Sequence, residues 1–232
     1  MDVILVPGFW LDASSWDDVV PVIEAAGHTP HALTLPGLES SAADRSGIRL
    51  SDHVAAVVAA IDAVEGPVAV VGHSGGGAIA YSAADARTSR VARIVFVDAG
   101  PLPAGAAIND GEFPAADGEL PLPDFGAFDP SEIAGLDEAA LADLRARAIP
   151  EPEQVASDPQ VYTDDARLAI PTTIIGSTMT SDVLKPLVEQ GHPWVTELAR
   201  LVDVSYIDLP TGHWPQFSRP RDLGEAIVST LG

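Results

Sequence analysis

The sequence contains no cysteine, few basic residues and no long apolar run. The missing thiol excludes disulfide bonds, thiolate nucleophiles and zinc–cysteine sites. Only 12 lysine and arginine residues stand against 34 acidic ones, and the resulting net charge of −22 would repel the phosphates of nucleic acids and anionic membranes. No segment approaches the roughly 18 apolar residues that span a bilayer. We therefore expect neither a nucleic acid nor a membrane as partner.

The N-terminus and the composition indicate a folded cytoplasmic protein. Met1–Pro7 has no basic region followed by a long apolar stretch, so no secretory signal peptide is predicted. With 232 residues, of which 47% are hydrophobic, the chain can bury one substantial core.

Six short apolar runs are predicted to be β-strands. Most are rich in valine and isoleucine with little polar alternation, which suits strands that are covered on both faces. The runs are Val3–Val6, His31–Leu35, Val68–Val71, Ile94–Val97, Thr172–Ile175 and Val204–Leu209.

Amphipathic stretches between these runs are predicted to be helices. Ser51 is the expected N-cap of the second one, in which apolar residues recur at helical spacing. Because strands and helices alternate along the chain, we expect an α/β fold with a mostly parallel twisted sheet and helices on both faces. The predicted helices are Ser15–Ala26, Ser51–Val64, Gly75–Ala86, Val183–Leu198 and Pro220–Leu231.

One connection is too long to be a simple loop. Between Asp98 and Pro171 there is no strong strand signal, and a structureless loop of that length is improbable in a compact domain. A helix is predicted near Asp137–Ala148. We interpret residues 101–169 as a small lid inserted into a single domain of residues 1–232, with a disordered surface insertion as the alternative. The candidate wall residues of a pocket beneath this lid are Phe113, Phe125, Phe128 and Tyr162.

The most informative segment joins a predicted strand to a predicted helix through a G-x-S-x-G motif, formed by Gly72, Ser74 and Gly76. In so tight a turn the serine takes strained backbone angles and its neighbours must be small, so its hydroxyl stands clear at the C-terminal edge of the sheet. The N-terminus of the following helix favours negative charge that develops there. Ser74 is therefore the candidate nucleophile. The alternatives are a closely packed glycine turn and a phosphate-binding loop, which would lack the P-loop lysine.

A serine nucleophile needs a base, and histidine accepts a proton near neutral pH. His213 follows the last predicted strand and so lies at the sheet edge where Ser74 emerges, and Gly212 lets its turn approach closely. His213 is the candidate base. The other histidines are interpreted as structural or surface residues: His28, His31, His53, His73 and His192.

Acyl transfer at a serine also requires two N–H groups that stabilise an oxyanion. The residue after the nucleophile, Gly75, would supply one of them. The loop after the first strand would supply the other, and the Phe9 amide is the candidate because Gly8 permits an unusual backbone there. The side chains of Phe9 and Trp10 are interpreted as core or pocket wall.

Over essentially its whole length the sequence resembles the α/β-hydrolase superfamily, in which the nucleophile, the acid and the histidine follow in this chain order. Its nearest resemblance is to the branch of plant methyl-ester hydrolases and hydroxynitrile lyases, which carries a small lid in the position of residues 101–169. The resemblance rests on Ser74, His213 and the stretch Val3–Leu38, with Gly8, Trp16 and the run Ala25–His28.

The resemblance implies a serine esterase that cleaves a small carboxylic ester through an acyl-enzyme, without a cofactor or metal. Relatives also cleave lactones, amides, cyanohydrins and carbon–carbon bonds, and some are receptors or inactive, so these activities and non-catalytic binding stay open as alternatives. Two features depart from the pattern. Pro7 replaces the histidine that usually precedes the glycine of the oxyanion loop, and no aspartate stands at the usual spacing after Thr172–Ile175.

The acid that orients His213 therefore has two candidates. It must lie at the C-terminal edge of a strand near the histidine. Asp98 directly follows the run Ile94–Val97, and this stretch resembles that of some haloalkane dehalogenases, which carry their acid after this strand. Asp182 follows the next strand, where most of the superfamily places the acid, but lies six residues beyond Gly176. We choose Asp98 and keep Asp182 as the alternative.

Overall fold

Six parallel strands form the central sheet. The computed structural model describes residues 1–232. The strands are β1 (Asp2–Val6), β2 (Thr29–Ala32), β3 (Val68–His73), β4 (Val91–Val97), β7 (Thr172–Gly176) and β8 (Val204–Asp208). Their order across the sheet is β2-β1-β3-β4-β7-β8, and every neighbouring pair is parallel, which confirms the predicted parallel sheet.

Helices cover both faces of this sheet, as the alternating pattern predicts. They are α1 (Val20–Ala25), α2 (Leu50–Ala63), α3 (Gly75–Ala86), α4 (Glu138–Arg147), α5 (Glu153–Ser157), α6 (Ser181–Glu189), α7 (Pro215–Ser218) and α8 (Pro220–Thr230). Successive side chains of a strand point to opposite faces. Val3 and Leu5 of β1 accordingly belong to the same buried cluster as residues of α1 and α8, whereas Ile4 and Val6 belong to the cluster that contains residues of α2 and α3. None of the helices is both long and apolar enough to cross a bilayer.

Several elements begin earlier than predicted, among them the second strand and helix α2. The second strand spans Thr29–Ala32 instead of His31–Leu35, because its pairing with β1 already starts at Thr29 opposite Asp2. Helix α2 begins at Leu50, and Ser51 is not its N-cap. The Asp52 carboxylate instead accepts the Arg49 N–H at 2.8 Å, which makes Arg49 the capping residue.

Two other predicted helices are interrupted. The stretch Ser15–Ala26 divides into a 3₁₀ turn capped by the Asp12 carboxylate and the short helix α1. The stretch Val183–Leu198 is helical only to Glu189, because Gly191 has a φ of 64° and Pro193 cannot continue a helix.

Residues 101–169 leave the sheet after β4 and return before β7. They contain α4 and α5 and a small antiparallel sheet of β5 (Glu119–Leu120) and β6 (Glu151–Pro152), which is too short to give a sequence signal. Helix α4 begins as predicted, with the Asp137 carboxylate accepting the Ala140 N–H at 2.8 Å. Leu120, Leu144 and Val155 are buried in the main core, so this segment packs against the rest of the chain.

Candidate active site

The turn between β3 and α3 has the strained geometry expected of the G-x-S-x-G motif. Ser74 has a φ of 50° and a ψ of −128°, a conformation that costs on the order of 1–3 kcal/mol. Its neighbours leave no space for a side chain: a Cβ on Gly72 would lie 2.6 Å from the Gly76 carbonyl oxygen, and one on Gly76 would lie 2.1 Å from that of Pro7. The glycines therefore allow the turn to pack against the first strand while the serine hydroxyl faces the cavity.

His213 lies beside this serine. Its Nε2 is 2.8 Å from Ser74 Oγ. The His213 N–H donates to the Glu132 carbonyl oxygen at 2.6 Å, and the Gly212 N–H donates to that of Ala134 at 3.0 Å. A Cβ on Gly212 would lie 2.4 Å from the Glu132 oxygen, so the glycine is required where the loop after β8 contacts the insertion.

Asp98, and not Asp182, is the carboxylate next to the histidine. Asp98 Oδ2 is 2.7 Å from His213 Nδ1, and its backbone has a φ of 43° directly after β4. Asp182 lies in the first turn of α6, is exposed, and makes no contact with His213. Two short hydrogen bonds thus join Ser74 to His213 and His213 to Asp98.

The loop after β7 fixes the Asp98 carboxylate. Oδ1 accepts the N–H groups of Ser177 and Thr178, each at 2.8 Å, and Oδ2 accepts the Thr178 hydroxyl at 2.7 Å. Burial alone would raise the pKa of Asp98, but the hydrogen bond and charge of His213, with the bonds from Thr178 and Ser177, outweigh it and lower the pKa to about 2. Asp98 is therefore an anion at any pH near neutrality.

Ser177 and Thr178 are supporting residues that the sequence analysis did not identify. They occupy the loop in which the resemblance leads one to expect an acid. Two hydroxyl residues directly after Gly176, at the end of a strand, are the signal that could have found them. Their N–H groups bind the carboxylate that comes from the neighbouring strand.

A second buried histidine lies behind the site. His73 Nε2 donates to the His213 carbonyl oxygen at 2.7 Å, and Gln216 Nε2 lies 3.2 Å from the other ring nitrogen. Burial, and then the nearby charge of His213, lower the pKa of His73 to about 3, so this ring is neutral. It also restricts the first loop, since a Cβ on Gly8 would lie 2.5 Å from His73 Nδ1. The hydrogen bonds of the His73 ring go to the His213 carbonyl oxygen and Gln216, and not to Ser74.

The two N–H groups that the sequence singles out, those of Phe9 and Gly75, have no hydrogen-bond acceptor in the chain. Gly75 is the first residue of α3, where an N–H has no partner within the helix. The Phe9 ring covers this helix end, because a Cβ on Gly75 would lie 2.7 Å from it. Both N–H groups thus belong to residues that line the same cavity as Ser74.

This cavity has a volume of about 230 Å³ and is roofed by the insertion. Phe113 and Phe128 line it, as predicted. Phe125 and Tyr162 do not line it. Phe125 stacks against the Arg145 guanidinium, and the Tyr162 hydroxyl donates to the Leu102 carbonyl oxygen at 2.7 Å. The sequence analysis did not identify the other apolar wall residues, Ala78, Ala99, Leu102, Ile108, Met179 and Trp194.

The charged groups at the cavity are acidic. Glu112 is exposed, Glu132 is half-buried, and no lysine or arginine lines the cavity. No group of three or more histidine, aspartate or glutamate side chains is arranged to hold a metal ion. The cavity therefore combines apolar walls with a negative potential.

Comparison with known proteins agrees with this architecture. The chain is 27% identical to a pyrethroid hydrolase of Sphingobium wenxiniae, over 98% of this chain and 86% of that protein. Among solved structures, it resembles an extracellular alpha/beta-hydrolase from a Paenibacillus species, described as sharing structural and functional homology with tobacco salicylic acid binding protein 2 (TM-score 0.80, 21% identity, 99% and 98% of the two chains). It also resembles an Arabidopsis methylesterase (TM-score 0.72, 16% identity, 100% and 98% of the chains).

These structures share the α/β-hydrolase fold, which confirms the predicted fold class. They also include a methylesterase, in line with the branch that the N-terminal stretch resembles. The profile of the alpha/beta hydrolase family matches residues 3–226. The chain belongs to the alpha/beta hydrolase family.

Proposed function

We propose that this protein is a serine hydrolase that cleaves small, uncharged carboxylic esters. The observation that carries the proposal is the hydrogen-bonded run from Ser74 through His213 to the buried Asp98. Nucleophilic catalysis needs this arrangement, in which a base can accept the serine proton and an anion orients the base. The esters hydrolysed by the relatives named above support the same substrate class.

In this proposal each residue has a role in two half-reactions. Ser74 Oγ attacks the ester carbonyl carbon while its proton passes to His213 Nε2. The oxyanion is bound by the N–H groups of Phe9 and Gly75. When the carbon–oxygen bond breaks, His213 gives the proton to the departing alcohol and leaves an acyl-enzyme. A water molecule, deprotonated by His213, then releases the carboxylic acid and restores the Ser74 hydroxyl. Asp98 stabilises the imidazolium in both steps.

The cavity favours an uncharged ester. Its apolar walls and volume of about 230 Å³ suit a small acyl or alcohol group, since pockets for drug-sized ligands measure roughly 300–1,000 Å³. Glu112 and Glu132 repel a substrate that carries a free carboxylate besides its ester group, and no basic side chain lines the cavity to offset this repulsion. Residues 101–169 act in this proposal as a lid that sets the size of the substrate within one domain.

Ser74→Ala tests the nucleophile. It should abolish hydrolysis of p-nitrophenyl butyrate and labelling by a fluorophosphonate while the circular dichroism spectrum stays that of the parent protein. Exposed Ser229→Ala is the matched control and should retain activity and labelling. A Ser74→Ala protein that keeps most of its activity, or a label on another residue, would refute the proposal.

Paired substrates test the charge preference. The kcat/KM for the p-nitrophenyl monoester of glutaric acid should be at least about tenfold below that for the butyrate ester, and the gap should narrow in high salt. Replacing both Glu112 and Glu132 with glutamine should narrow it as well. Equal kcat/KM values for the two esters in low salt would contradict the proposed preference.

A further inference from the structure

Trp10 is strained, and it directly follows the residue whose N–H faces the cavity. Its φ is 66°, in the left-handed region that a bulky side chain rarely adopts. The turn is closed by the Leu11 N–H, which donates to the Gly8 carbonyl oxygen at 3.3 Å. Such a conformation costs on the order of 1–3 kcal/mol and persists only when its surroundings hold it. Any group that holds Trp10 therefore also fixes the direction of the Phe9 amide.

The base of the insertion contacts Trp10 at each of its polar groups. The indole N–H donates to the Leu120 carbonyl oxygen at 2.9 Å, and the Trp10 carbonyl oxygen accepts the Ile149 N–H at 2.9 Å. The backbone N–H of Trp10 faces the carboxyl group of Glu151 and lowers its pKa, although it does not reach full hydrogen-bond geometry. Strands β5 and β6 thus surround the strained residue.

Glu151 is an unusual residue for this position, because its side chain is only 1% exposed and no cation contacts it. Its Oε1 lies 3.5 Å from Nδ1 of His53, which is fully buried in α2. His53 Nε2 lies 2.8 Å from the Pro36 carbonyl oxygen, which can only accept, so Nε2 carries a proton. In a neutral ring Nδ1 is then an acceptor, and the group that faces it must be a donor. A protonated Glu151 carboxyl meets this requirement.

The electrostatics of the pair favour two neutral groups. Burial lowers the pKa of His53 to about 4, and burial raises the pKa of Glu151 to about 8 against the opposing effects of the Trp10 amide and Arg45. The other charged groups nearby do not neutralise Glu151. Arg45 binds Glu119 at 2.9 Å. Asp52 and Glu39 carry negative charge and act on His53, whose pKa they raise against the larger effect of burial.

We propose that Glu151 is a positioning residue for ester hydrolysis, whose neutral carboxyl lies between His53 Nδ1 and the Trp10 amide and so supports the loop that presents the Phe9 N–H to the oxyanion. This inference rests on the proposed function, because it assumes that the Phe9 N–H stabilises a transition state at Ser74. Ionisation of Glu151 removes the donor to His53 and places an anion beside the loop where negative charge develops.

Two substitutions separate positioning from mere packing. Glu151→Gln keeps a neutral polar group at this place, since its amide NH₂ can face His53 Nδ1 and its carbonyl oxygen can face the Trp10 N–H. It should retain most of kcat at pH 7. Glu151→Leu keeps the volume and loses this polar group. It should lower kcat by roughly 10–100-fold with KM changed by less than about threefold, because a displaced oxyanion donor weakens only transition-state binding.

The pH profile is the decisive measurement. In the parent protein kcat for p-nitrophenyl butyrate should fall as the pH rises through about 8, and in Glu151→Gln this decline should be absent. Exposed Glu138→Gln, in the same insertion, is the matched control and should keep the parent profile. An unchanged alkaline decline in Glu151→Gln, or a folded Glu151→Leu protein with the parent kcat, would overturn the inference. Loss of hydrolysis in Ser74→Ala establishes the proposed function separately, whatever Glu151 does.

Discussion

Asp98→Asn should remove nearly all activity through the position of one proton. The N–H groups of Ser177 and Thr178 both point at Oδ1, so an amide at position 98 must place its carbonyl oxygen there. Its NH₂ group then occupies the place of Oδ2, 2.7 Å from His213 Nδ1, and donates to that nitrogen. The imidazole proton moves to Nε2, which can no longer accept the proton of Ser74. The Thr178 hydroxyl adapts, because it can accept as well as donate.

Two magnitudes follow from this geometry. The loss in kcat should be about 10⁴-fold, as for the same tautomer error in serine proteases, or about 5 kcal/mol of activation free energy. The free energy of unfolding changes less. The pKa of Asp98 in the folded state is about 2, below the ordinary 3.8, so this carboxylate contributes roughly 2 kcal/mol to the free energy of unfolding. The contribution is present above pH 3.8 and is lost as the pH falls through about 2. Asp98→Asn should lack this part of the acid denaturation profile.

Initial rates on p-nitrophenyl butyrate, together with urea unfolding at pH 7 and at pH 3, measure both effects. Asp182→Asn is the matched control, since this exposed residue makes no contact with His213. It should retain the parent kcat within about twofold. An Asp98→Asn protein with more than a tenth of the parent kcat, or a loss of activity in Asp182→Asn instead, would refute the reasoning.

Three further outcomes are expected. Thr178→Val removes a 2.7 Å hydrogen bond to Asp98 and should lower the free energy of unfolding at pH 7 by about 1.5–3 kcal/mol in urea titrations. Arg167→Ala leaves the buried Glu197 carboxylate without its 2.8 Å partner and should lower the free energy of unfolding by about 3–5 kcal/mol, whereas Arg221→Ala, in an exposed pair, should leave it nearly unchanged. Raising the pH from 4.5 to 8 should lower the free energy of unfolding, because Glu151 keeps its proton in the folded state to about pH 8 and loses it near 4.5 when unfolded. Glu151→Gln should reduce this decrease by up to roughly 4 kcal/mol.

The sequence alone predicts the sheet and the elements that flank the nucleophile. Fully buried parallel strands read as continuous apolar runs, and Gly75–Ala86 matches the observed α3 at both ends because the motif fixes where the helix begins. The edge strand β2 was placed too late, since its exposed start at Thr29 carries polar residues and its pairing depends on β1. The predicted start of α2 is one residue too late, because Arg49 and not Ser51 occupies the N-cap position, with its N–H bound by the Asp52 carboxylate.

The site could be predicted only in part, for a similar reason. Ser74 sits in a local motif and His213 in a short turn after a strand, so chain order brings them to one edge. Glu151 gave no signal, because its contact with His53 joins segments far apart in the chain. The two-residue strands of the insertion are likewise set by pairing with each other and by contacts with Trp10, which no local pattern encodes.

The bond between the His213 N–H and the Glu132 carbonyl oxygen restricts how molecules can reach the serine. The insertion cannot swing away as one body without pulling the imidazole off Ser74, since the Gly212 N–H is tied to Ala134 as well. Displacement of the whole insertion would thus separate His213 from Ser74. Under the proposed function, substrate and product therefore enter and leave through an opening that exists while the insertion stays in place. Two residues that line the cavity are exposed to solvent: Trp194, which is 48% exposed, and Glu112. Exposed side chains change rotamer within nanoseconds, so these two can move without breaking the hydrogen bonds that join Ser74, His213 and Asp98.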